Sequence, residues 1–245
     1  DGGFSFEYSA TFKQALKSAK TTDKKVRETV DGYMKSIIID YSYKFFFDDG
    51  YGKDYRIYNL RDSVDENQKG LYLTGCLMSF YQQVKLFLQY GREYAPFQIE
   101  KPLLVFVGNR VTASTSAKEL TDVEEVLMFI DNFVRNKTRT VGRIKAVLDE
   151  DTGLIDGSGN ELFYSDFNPL KALYQYNLSA EHVYEEMMHI VFNTDAVTDE
   201  PRLHVEMLRN AEGEIGLKIG EQGRYFGVIN IGDPAKLIKN CEAKG

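Results

Sequence analysis

Apolar residues recur at helical spacing between Leu71 and Tyr90, at Leu73, Leu77, Phe80, Tyr81, Val84, Phe87 and Leu88, and Gly91 then supplies a stop. This pattern predicts a long amphipathic helix. A second helix is expected over Val123–Val134, where apolar residues return every three to four positions, and a third from Ser179, a good N-cap, to about Phe192. Three short strands follow, Leu203–Leu208, Ile215–Ile219 and Tyr225–Ile231, separated by the turn sequences Asn210-Ala211-Glu212-Gly213 and Gly220-Glu221-Gln222-Gly223. Asp233-Pro234 opens a final helix to about Cys241. Nearer the start, Gly3–Tyr8 reads as a strand, Phe12–Ala19 as a helix and Asp54–Leu60 as another strand.

One stretch breaks the alternation. Pro102 is followed by Leu103-Leu104-Val105-Phe106-Val107, then Gly108 and the polar Asn109-Arg110. Five apolar residues without a polar interruption suit a strand covered on both faces, which predicts a parallel α/β sheet. The loop after such a strand is where ligands are usually met, so Asn109, Arg110 and Thr112 are candidate contacts. An ordinary strand-to-helix turn accounts for them equally well.

Composition narrows the function classes. The chain's 245 residues suffice for one large or two modest domains, and 30 basic against 37 acidic residues give a net charge of −7. A protein that coats nucleic acid is therefore excluded, and any phosphate contact must be local. The two cysteines, Cys76 and Cys241, form neither a disulfide framework nor a metal spacing, which points to a reducing cytoplasm. No signal peptide or membrane-length apolar run is visible. Asp1 stands in what reads as a structured element, so a piece of a longer protein is expected.

Candidate chemistry is sparse. Asp40–Tyr58 carries Tyr41, Tyr43, Phe45, Phe46, Phe47, Tyr51, Tyr55 and Tyr58, a density that predicts a packed surface. Gly50-Tyr51-Gly52-Lys53 is no phosphate loop, because Phe47 and Asp54 stand where a glycine and a hydroxyl residue are needed. Asp65-Glu66-Asn67-Gln68 looks like an acidic magnesium box but reads better as an acid-rich first helical turn. Arg135, Lys137, Arg139, Arg143 and Lys145 form a local basic cluster, either a phosphate contact or a solvated helix end. Asp149–Asn160, with Gly153, Gly157 and Gly159, is an acidic loop or hairpin tip without a dinucleotide fingerprint. His182, Glu185, Glu186 and His189 share a helical face, and Glu186-Met187-Met188-His189 matches one half of a carboxylate-bridged metal site, which needs a second such helix. A metal-dependent hydrolase using His182, Glu186 and His189 is a third reading beside those below.

Tyr8-Ser9-Ala10-Thr11-Phe12, the segment from Asp40-Tyr41-Ser42-Tyr43 to Asp49-Gly50-Tyr51, and Lys101–Gly108 occur in the order of an interior segment of a superfamily 2 helicase of the DEAD/DEAH-box type. The chain resembles most narrowly the Res subunit of type III restriction enzymes. The resemblance implies an α/β fold of RecA-like, P-loop NTPase type, with a parallel sheet, flanking helices and a β-rich insertion at about 140–220. Residues 1–30 would end a first RecA-like domain, 31–60 form an aromatic crossover, and 61–245 form a second RecA-like domain. Ser9, Ala10 and Thr11 would be the coupling motif III, and Asn109, Arg110 and Thr112 would lie at the domain interface or DNA face; Arg139 and Arg143 are the expected phosphate contacts. The parent would be an ATP- and magnesium-dependent DNA helicase or translocase, and a restriction or defence enzyme is one such parent. Its partners would be DNA and the missing first RecA-like domain. No Gln-x-x-Gly-Arg-x-x-Arg and no phosphate loop occur here, so this chain by itself is not expected to hydrolyse ATP. The rival reading is a non-catalytic α/β protein-interaction domain.

Overall fold

The computed structural model describes residues 24–52, 55–59, 65–107, 122–194, 201–209 and 213–230. The chain divides into two compact units, 1–57 and 58–245.

In the first unit, helix α1 (Lys24–Lys35) and the short α2 (Tyr43–Asp48) bury no side chain. The aromatic residues around α2 instead meet one another. Tyr43 lies against Phe46, Phe47 and Tyr55, Phe46 against Tyr51, and the Tyr41 hydroxyl donates to Asp49 at 2.6 Å.

The second unit is built on α3 (Glu66–Tyr94). Its start is a capping box: Asp65 accepts from the Gln68 amide at 2.7 Å, and the Gln68 side chain accepts from the Asp65 amide at 3.1 Å. The acid-rich turn is thus a helix start, as its sequence suggests. The helix passes its first stop signal, becoming non-helical at Tyr90 and ending only at Tyr94, before a 3-10 turn at Ala95–Phe97 that contains Pro96. Against α3 pack α4 (Asp122–Arg135), α5 (Lys137–Leu148), α6 (Asn168–Leu173) and α7 (Ala180–Ile190).

The shared core holds Met78, Tyr81, Phe133, Val134, Ile144, Val147, Phe163, Leu170, Val183 and Met187, all 1% exposed or less. Gln82, itself buried, ties α6 to α3: its amide nitrogen donates to the Asp166 carbonyl at 2.9 Å, and its oxygen accepts from the Leu170 amide at 3.1 Å. Phe163, in the turn between the Ile155–Glu161 bridge and α6, pushes its ring into the space left by Gly75 on α3.

The sheet consists of β1 (Leu203–Met207), β2 (Glu214–Ile219) and β3 (Tyr225–Asn230), antiparallel in the order β1-β2-β3. Alternation sets its faces. Ile215, Leu217 and Ile219 turn inward, and the first two meet Leu127 of α4 with Val205 and Phe226 beside them. A bulge at Leu217/Lys218 shifts the β2–β3 register.

The predicted α/β fold is therefore corrected. The structure is rich in helix, its one described sheet is antiparallel, and no parallel sheet is present among the described residues, so a RecA-like parallel sheet is not supported. The physical reason lies in residues 103–107, which are not a strand. They have no ladder partner, and Leu103, Val105 and Val107 are 83%, 65% and 88% exposed, while Leu104 alone leans on the core. A continuous apolar run needs cover on both faces before it behaves as a parallel strand. Residues 55–59, expected in a strand, also have no regular structure. The expected strand Gly3–Tyr8, the helix Phe12–Ala19 and the helix after Asp233 lie outside the described residues. Among the described residues, no helix is long and apolar enough to cross a membrane.

Candidate functional site

The five cations between Arg135 and Lys145 belong to the end of α4 and to α5, a helix that the sequence pattern did not announce. Three of them have carboxylate partners. Arg135 pairs with Asp131 at 3.1 Å, Lys137 with Glu185 at 3.1 Å, and Lys145 with Asp149. Arg139 and Arg143 have no carboxylate partner among the described residues. One turn apart on α5, they converge on the start of α3, where Nη2 of each donates to the same atom, Asn67 Oδ1, at 3.4 Å.

Why they point there follows from packing. Ile144 and Val147 are fully buried, and the buried Thr140 hydroxyl donates to the Phe133 carbonyl at 2.8 Å, fixing α5 against α4. Arg139 and Arg143, each one residue before Thr140 and Ile144, then lie at the edge of this buried face, beside the first turns of α3. Arg143 lays its guanidinium over Gly70, in the space that any Cβ there would need. Its Nε is buried and finds no acceptor, so the group is held by shape. Burial, together with the like charge of Arg139, pushes the Arg143 pKa down, a sign that the pair lacks a counter-charge. The guanidinium stays protonated all the same. Of the nearby acids, Asp65 is engaged in the helix cap and Glu66 forms no ion pair with either arginine.

The face of α7 singled out for metal binding is divided between two neighbours. Glu185 turns to Lys137 on α5. Glu186 turns to α3 and the end of α6: its carboxylate accepts from the Tyr81 hydroxyl and, at 2.5 Å, Lys85 Nζ on α3, and from the hydroxyl of Tyr174, which caps α6. His182 Nε2 stays 3.8 Å from Glu186 Oε2, and its ring meets Tyr174 edge-on. Among the described residues, no three His, Cys, Asp or Glu side chains gather as a metal site would need. Burial raises the Glu186 pKa, but the hydrogen bonds from Lys85, Tyr174 and Tyr81 outweigh it and hold the carboxyl below the usual value. For Lys85, burial pulls downward and its bonds with Glu186 and Tyr174 prevail, so its pKa is raised. Both tyrosines are raised, by burial first and by Glu186 second. Every member is thus moved away from reactivity, and the cluster is suited to tying α3 to α7.

A second carboxylate knot lies on the outer face of the sheet. Glu206 accepts from the Tyr225 hydroxyl and pairs with Lys218 at 3.0 Å and His204 at 3.4 Å; the Tyr225 and Lys218 bonds hold its pKa at about 2.

Of the residues expected to act, Arg139 and Arg143 are brought together. Ser9, Ala10, Thr11, Asn109, Arg110 and Thr112 lie outside the described residues. Asn67 and Gly70 were not anticipated, because nothing local to α3 signals that two arginines 72 and 76 positions later reach them. No protein-family model, curated protein or solved structure matches this chain.

Proposed function

We propose that this chain is a DNA-contacting segment of an ATP-driven helicase or translocase, with Arg139 and Arg143 meeting the phosphate backbone. The observation that carries the reading is the pair itself: two adjacent cations share one neutral acceptor and no carboxylate, on a chain whose net charge is −7. Phosphate contacts need local positive charge but no base specificity, so an acidic protein can make them through such a patch. The resemblance of Ser9-Ala10-Thr11 to the helicase coupling motif III is what suggests the motor. In that reading ATP and magnesium belong to the parent protein, the described helices form a module beside its motor core, and the compartment is the cytoplasm.

Fluorescence anisotropy of the full 245-residue chain with labelled single- and double-stranded DNA tests this. Weak binding that falls with salt is expected, and Arg139→Ala with Arg143→Ala should weaken it by roughly tenfold or more near 0.1 M salt. Binding that ignores both salt and the double substitution would sink the reading. The exposure of Leu103, Val105 and Val107 would then favour the alternative, a non-catalytic interaction domain that covers this run with a partner.

A further inference from the structure

We infer that Arg139 and Arg143, the latter aimed by Gly70, form a clamp for a single phosphate, and that the Asn67 side-chain oxygen only occupies the place of a phosphate oxygen until one arrives. The inference deepens the DNA-contact reading and rests on it for the source of the phosphate, a diester of a nucleic-acid strand. Two guanidiniums that meet at one oxygen repel each other, and the oxygen between them carries only the partial charge of an amide. Both contacts are 3.4 Å, longer than the ~2.7–2.9 Å of charge-assisted bonds. The acceptor is therefore in the right place and too weak for its donors. A phosphate offers full negative charge and more than one oxygen to the same two groups, so it displaces the amide, which is free to turn out to solvent from the exposed start of α3. The capping box already satisfies the first turn of α3, so the clamp depends on the arginines and not on the helix end.

Gly70 gives the clamp its aim. With no side chain at that position, Arg143 lies flat on α3, and the shape of the slot, without a hydrogen bond to Nε, holds the guanidinium toward Asn67. Any larger residue would lift it away. The colliding atoms are the far end of a flexible side chain, so the helix itself tolerates the change.

The variants separate a stand-in from a ligand. Asn67→Asp puts a carboxylate between the arginines, which then bind it instead of DNA: affinity should fall roughly tenfold while thermal stability holds or rises. Asn67→Ala removes the stand-in and should stay within about twofold of the parent chain. Gly70→Ala should fold at least as well, alanine being the better helix former, yet bind as weakly as Arg143→Ala. Because one phosphate is held, the double arginine variant should lower the salt slope for single-stranded DNA by about 0.7; a loss of about 1.4 means two separate phosphates and overturns the clamp. Equal losses for Asn67→Ala and Asn67→Asp, or none for Asn67→Asp, overturn it while leaving DNA binding intact. If no DNA binds but inorganic phosphate at tens of millimolar raises the melting temperature of the parent chain and not of Asn67→Asp, the clamp stands and the DNA reading falls. If neither ligand acts, both fall.

Discussion

Glu186→Ala is expected to destabilise the protein by about 3 kcal/mol at neutral pH. The substitution leaves the hydroxyl of the fully buried Tyr81, the Tyr174 hydroxyl and the Lys85 ammonium without their shared acceptor. Breaking a buried ion pair costs about 3–5 kcal/mol, and the lower end applies because the Lys85 and Glu186 side chains keep 20% and 21% of their exposure. Glu186→Gln, which keeps the shape and one acceptor, should lose about half as much. The pH dependence has a definite sign. The folded pKa of Glu186 lies below its ordinary 4.5, so its contribution is whole above pH 4.5 and is lost as pH falls from there through the folded value. At the other end Lys85 is raised above 10.5, so its share persists to 10.5 and fades as pH rises through the higher folded value. Urea unfolding of both chains across pH checks this. A deficit under about 1 kcal/mol, or one that does not shrink in acid, would show that the three donors find other acceptors.

The second large effect runs against helix propensity. Alanine exceeds glycine in a helix interior by about 1 kcal/mol, and α3 carries Gly75 in its buried middle. Gly75→Ala should nevertheless destabilise by about 2 kcal/mol, since the new methyl group overlaps the Phe163 ring, itself fully buried between α3 and the turn before α6. The ring cannot swing aside as Arg143 can beside Gly70, because Tyr58 and Phe167 pack against it at centroid distances of 5.0 and 6.3 Å. Gly142→Ala on α5 is the control. Nothing lies within 4 Å of its added methyl, so the propensity gain of up to ~1 kcal/mol should appear unopposed. Thermal melts should therefore move in opposite directions, by about 2–4 °C per kcal/mol. A stabilised Gly75→Ala chain would mean that Phe163 is not wedged as described.

Those parts of the fold that depend on near neighbours were legible in the sequence. Asp65 and Gln68 sit three apart at the start of α3, Ser179 precedes α7, and Ile215, Leu217 and Ile219 alternate as a sheet with one covered face requires. The run Leu103–Val107 misled because period alone cannot distinguish a strand with two covers from one with none; the difference lies in partners elsewhere in the chain. Helix α5 escaped notice for the converse reason. Thr138, Thr140, Val141 and Gly142 are poor helix formers, and burial of Ile144 and Val147 against α3 and α7 decides the matter. The candidate site was half visible. A basic cluster can be counted in the sequence, but which two of its five members lack a carboxylate depends on where Asp131, Glu185 and Asp149 come to rest.

The exposed run Leu103–Val107 also bears on how the molecule behaves in a tube. Five apolar residues with no charge among them make a segment prone to stack on its own copies. The net charge of −7 keeps copies apart at low ionic strength, and added salt screens that repulsion. Salt therefore encourages chains to gather, whereas under the proposed function it would weaken contact with DNA, so the two associations would move in opposite directions along the same axis.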